Sequence, residues 1–107
     1  MLVVILAVLT LAVLTGCAQN ESRPGWLLMF PPLTAHGYAN TSAPFLRWQT
    51  VGKYPSQTDC NSAIDRGRFA AAARFGQIEK AESYEEKQAV QIRNAQCVAT
   101  RDPRLIE

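Results

Sequence analysis

Few residues in this 107-residue chain are of a type that does chemistry: three cysteines (Cys17, Cys60, Cys97), one histidine (His36) and an acidic cluster (Glu79, Glu82, Glu85, Glu86). A zinc site needs cysteines or histidines at close, paired spacing, and these cysteines lie far apart with a single imidazole. A redox dithiol ordinarily has Cys-x-x-Cys spacing at a helix start. Cys60 lies near a predicted helix start, but its nearest C-terminal thiol is Cys97. His36 sits in a loop of small residues, as a general base would. No Ser or Cys with a nucleophile-elbow or oxyanion signature accompanies it, so it reads as an exposed loop residue. Glycoside hydrolysis needs two carboxylates facing each other across a cleft. The four glutamates are instead interleaved with Lys80 and Lys87 on a polar stretch, which reads as a solvated face. The expectation is a non-enzyme with no metal and no cofactor.

Charge narrows the partners. Eleven Lys and Arg stand against nine Asp and Glu, a formal charge of +2. Arg66, Arg68, Arg74, Arg93, Arg101 and Arg104 would form a basic surface, but residues 55–107 hold eight basic and eight acidic side chains. A nucleic-acid partner, which calls for a strongly basic face, is therefore not expected.

The first seventeen residues carry no charged side chain, and fourteen of them are hydrophobic. Fourteen apolar residues in a helix span about 21 Å, short of the ~30 Å hydrocarbon core. That length suits the apolar region of an export signal. Leu14-Thr15-Gly16-Cys17 resembles the lipobox of bacterial lipoprotein signal peptides at all four positions. The resemblance implies cleavage before Cys17, a diacylglycerol on its thiol and an acyl chain such as palmitate on its new amine. Several chains together anchor stably, at ~0.8 kcal/mol per buried methylene. Ala18 follows where an Asp would act as an inner-membrane retention signal in enteric bacteria, which implies the outer membrane where the host has one. The alternative is an uncleaved single-helix membrane anchor in which Cys17 is incidental.

If Cys17 carries lipid, Cys60 and Cys97 remain as one pair in an oxidising compartment. Thirty-six residues lie between them. In the chain-entropy picture, closing a loop of that size contributes roughly 4 kcal/mol.

The rest of the sequence supplies the elements that must position these groups. Trp26-Leu27-Leu28-Met29-Phe30, ended by Pro31-Pro32, reads as a short buried strand. Residues 33–44 read as a small, polar, unpatterned surface loop. Phe45 to Tyr54 alternates as a strand, with Leu46, Trp48 and Thr50 sharing one face and Gly52 marking a bulge. Ser56 with Asp59 forms a helix-capping box, and Cys60, Ile64, Gly67, Ala71, Phe75 and Ile78 recur on one helical face. A second box, Ser83 with Glu86, opens another helix, giving two helices at 57–75 and 84–94 or one kinked helix. Ala95 to Thr100 reads as a strand, with Cys97 and Ala99 opposite Val98. Asp102 and Arg104 are placed to pair at the polar end. Trp26, Tyr38, Phe45, Trp48 and Tyr54 are expected to build the core, or else an aromatic patch for a partner.

The mature part also resembles a group of short exported bacterial proteins that carry no assigned activity. The residues are Trp26-Leu27-Leu28-Met29-Phe30-Pro31-Pro32, Trp48, Cys60, Cys97 and Asp102-Pro103-Arg104-Leu105. Together these readings predict a signal peptide at 1–16, a tether at 17–25 and a small α+β domain at 26–107. In that domain two helices pack on a short antiparallel sheet stapled by Cys60–Cys97. The expected role is a lipid-anchored envelope protein, binding or structural, held to the membrane through Cys17 and facing an envelope partner. Alternatives are an inhibitor or accessory subunit of an envelope enzyme, presenting the 33–44 loop.

Overall fold

The computed structural model describes residues 25–106. Strand β1 (Trp26–Phe30) lies at the centre of a three-stranded sheet in the order β2-β1-β3, with β2 at Gln49–Tyr54 and β3 at Gln96–Ala99. Both pairings are antiparallel: Trp26 faces Tyr54 on one side and Ala99 on the other, and Leu28 faces Gly52 and Cys97. The register slips between Leu28 and Met29, leaving Val51 as an extra residue beside Gly52. This is the bulge anticipated at that glycine.

A central strand covered on both faces has no polar side, which is why β1 is an unbroken apolar run. Leu28 packs on one face with Cys60, Ile64 and Ala95, under the helices, with Trp26, Phe30 and Tyr54 around them. Met29 packs on the other face with Ala43, Phe45, Trp48 and Val98, and Leu27 and Leu105 border that cluster. The sheet thus carries two small cores. One is roofed by helices, the other by the 33–48 connection and the C-terminal turn.

Helix α1 (Gln57–Phe75) begins where Ser56 Oγ accepts the Asp59 amide at 3.1 Å, and α2 (Tyr84–Arg93) where Ser83 Oγ accepts the Glu86 amide at 3.2 Å. Both predicted caps are present, and each satisfies an orphan helix donor. The two helices are separate. Gly76 takes φ 63° and ψ −143°, a backbone conformation open to glycine, its N–H donates to the Ala72 carbonyl at the helix end, and the chain turns before Ser83. On α1, Cys60 and Ile64 are buried and Gly67, Ala71 and Phe75 half-buried, so the predicted stripe is the packing face. Helix α2, which had no clean stripe in the sequence, buries Ala89, Val90 and Gln91.

The Cys60–Cys97 disulfide is formed, joining the first turn of α1 to β3 with Cα atoms 6.1 Å apart. Arg68 makes a second link between these layers. It donates to the carbonyls of Ile92 (3.2 Å), in the last turn of α2, and Ala95 (3.1 Å), just before β3.

The stretch from Phe45 departs from the expected strand. Phe45–Arg47 is a single 3₁₀ turn entered from Pro44, and β2 starts only at Gln49. Phe45 and Trp48, three residues apart, share the buried side of that turn and meet edge to face with centroids 5.0 Å apart, while Leu46 points to solvent. The Trp48 indole N–H donates to the Ala43 carbonyl at 2.8 Å, meeting its polar requirement inside the core. At the other end, Gly25 is buried, and its amide and carbonyl bond the Thr100 hydroxyl and amide at 3.2 and 2.9 Å.

Candidate functional site

At the end of β1 away from Gly25 the chain leaves the sheet through Pro31 and Pro32 and turns back on itself. The expected unpatterned loop is a tied hairpin. The Thr34 amide donates to the Tyr38 carbonyl (2.8 Å), Gly37 N–H to the Thr34 carbonyl (3.0 Å), and Tyr38 N–H to Thr34 Oγ1 (3.2 Å). Gly37 has φ 89°, and a Cβ there would stand 2.2 Å from the Ala81 carbonyl oxygen, so only glycine fits. The Ala81 amide donates to the Gly37 carbonyl at 3.0 Å, and Tyr38 bridges to Lys80, clamping the hairpin onto the segment between the helices.

The clamped hairpin forms one wall of a groove of about 600 Å³. Pro31 and Pro32 lie along it. The opposite wall carries Arg47 and Gln49, from the 3₁₀ turn and the start of β2, and Lys87 and Gln91, one turn apart on α2. Gln91 is buried, and its amide donates to the Pro31 carbonyl at 3.1 Å, tying α2 to the exit of the central strand. His36, from the hairpin tip, completes the rim. Arg47, Lys87 and His36 are exposed, and among the described residues their side chains have no hydrogen-bond or ion-pair partner. No carboxylate lines the groove. The arrangement offers positive charge, side-chain amides and a hydroxyl at Thr34.

The other candidate residues fall into structural roles. Glu85 pairs with Arg74 at 2.6 Å, Glu82 with Lys80 at 3.8 Å, and Glu86 Oε1 accepts the Glu82 amide at 3.4 Å. The acidic cluster is therefore a solvated, helix-capping face, and its charge pairs are exposed ones of small energetic weight. Among the arginines, Arg68 holds carbonyls at the junction of α2 and β3, Arg93 donates to the Ile78 carbonyl, and Arg104 chelates Asp102. The Arg104 guanidinium holds the Asp102 carboxyl below its usual range, mainly through their side-chain hydrogen bonds. The same guanidinium lies over the Phe45 ring, 4.5 Å from its centroid.

The aromatics divide between the cores: Phe45 and Trp48 on one face, Trp26 and Tyr54 on the other, with Tyr38 exposed. A second depression, between the helices, is apolar and lined by Phe30, Gly67, Ala71, Phe75, Ala89 and Ile92. Among the described residues no group of three or more His, Cys, Asp or Glu is gathered to hold a metal ion. No described helix is long and apolar enough to cross a membrane. Cys17 and the lipobox resemblance lie outside the described residues.

The sequence did not reveal the groove, because Arg47 and Lys87 are forty residues apart and neither belongs to a basic run. Its one local signal is Gly37, set between His36 and Tyr38. Comparison with known proteins found no matching family model, no matching curated protein and no matching solved structure.

Proposed function

We propose that the protein is a lipid-anchored component of the bacterial cell envelope that binds a ligand without transforming it. The observation that carries this reading is the Cys60–Cys97 disulfide. Disulfides persist in oxidising compartments, and this one uses both cysteines of the described domain. Cys17 is then the third thiol, in the sequence Leu14-Thr15-Gly16-Cys17, where a lipoprotein carries its acyl groups. Ala18 supports delivery to the outer membrane where the host has one. The clamped hairpin supports a binding role over a purely structural one. Backbone hydrogen bonds fix a polar groove before any ligand arrives, which lowers the ordering cost of binding.

The test is metabolic labelling with an alkyne palmitate analogue, followed by membrane fractionation, for the native chain and Cys17→Ala. The native chain should take up label and sediment with membranes, and the variant should do neither. Equal labelling of both would overturn the anchor.

A further inference from the structure

We propose that the groove beside the hairpin, at the end of β1 opposite Gly25, is a binding site for an anionic saccharide, a sugar carrying a phosphate or carboxylate. The proposal rests on reading the protein as a tethered binding module and names what the module takes.

Three observations carry it. Two cationic side chains and an imidazole converge from three separate elements: Arg47 from the 3₁₀ turn, Lys87 from α2 and His36 from the hairpin. Among the described residues none has an internal partner, whereas Arg68, Arg74, Arg93 and Arg104 are all engaged. With no carboxylate lining the groove, its field favours an anion, and the Arg47 guanidinium has the planar fork that grips two oxygens at once. The remaining lining is neutral, with the Gln49 amide and Thr34 hydroxyl suited to sugar hydroxyls and Phe30, Pro32 and Leu33 offering apolar faces beside them. A volume near 600 Å³ lies within the ~300–1,000 Å³ range of small-ligand sites.

The tether enters β1 at Gly25, and the groove begins after Phe30 at the other end of the same strand. Five residues of strand separate the two by about 17 Å.

His36 is the chain's sole imidazole, so its ring signals are an unambiguous NMR reporter at the rim. The full chain in neutral detergent would be titrated with glucose 6-phosphate, glucuronate, glucose and inorganic phosphate, and separately with phosphatidylglycerol vesicles. Both anionic sugars should shift the His36 signals saturably and more tightly than inorganic phosphate, and glucose should not shift them. Arg47→Ala with Lys87→Ala should weaken binding about tenfold, while Arg66→Ala, an exposed position on α1, should not. No saturable shift, or equal binding by the double variant, would overturn the site. Inorganic phosphate binding as tightly as the sugars would overturn the saccharide, and a response to vesicles alone would overturn a free sugar as the ligand. Detergent removes any dependence on acylation, so failure here is separable from failure of the anchor, which the labelling experiment reads.

Discussion

Gly67 and Ile92 touch where α1 meets α2: a Cβ on Gly67 would stand 2.7 Å from Ile92 Cγ1 and 3.0 Å from its Cδ1. Glycine inside a helix costs about 1 kcal/mol relative to alanine, so the site gives up intrinsic helix stability to let the helices approach. Gly67→Ala should therefore destabilise the domain by about 1 kcal/mol net, because the overpacking penalty of roughly 1–3 kcal/mol exceeds the propensity gain. Adding Ile92→Ala should turn the effect of the Gly67 change favourable. Urea unfolding of the four proteins in the cycle would measure both.

The disulfide is the largest single contribution to stability that the sequence makes countable. Its loop predicts a loss of roughly 4 kcal/mol when Cys60 and Cys97 are both replaced by alanine. For a small domain with two thin cores, that is a large share of the total. The melting temperature should fall steeply in the variant, and reductant should lower the native protein's melting temperature but leave the variant's unchanged.

Gln91 is buried, with its amide on the Pro31 carbonyl. Gln91→Ala removes the donor and leaves that carbonyl unpaired inside the protein, at a cost of about 1–3 kcal/mol. Because the same bond ties α2 to the exit of β1, amide exchange should quicken in residues 33–39 before it does in β3.

Asp102 gives a pH dependence of known sign. Its native carboxyl is held below the ordinary range by Arg104, so the unfolded chain takes up a proton first as the solution is acidified. The stability gained from ionised Asp102 is fully present above the ordinary carboxylate range and is lost as pH falls through the native value. Denaturant midpoints should place the native protein above Asp102→Asn at neutral pH, with the two converging in acid.

Elements governed by local chemistry were legible in the sequence. Ser56 and Ser83 cap as their boxes predicted, the apolar run of β1 marks a strand covered on both faces, and Cys60 sits on the helical stripe that faces Cys97. The start of β2 was not legible, for a geometric reason. Over three residues, alternation and a 3₁₀ turn both place apolar groups close together, and here Phe45 and Trp48 pair at the three-residue period of the turn. The hairpin looked unpatterned because backbone groups and one glycine hold it, and these leave almost no side-chain signature. The groove was least legible of all, since only the tertiary fold gathers Arg47, Lys87 and His36.

The order of the strands bears on how the chain is made. Among the described strands β1 is synthesised first yet lies in the middle, and one of its two neighbours, β3, is made last, with Leu27 meeting Val98. An unfinished polypeptide cannot complete this sheet, and pairing across so long a separation is slow to nucleate. A nascent copy therefore leaves one edge of its central strand without a partner until β3 has been made.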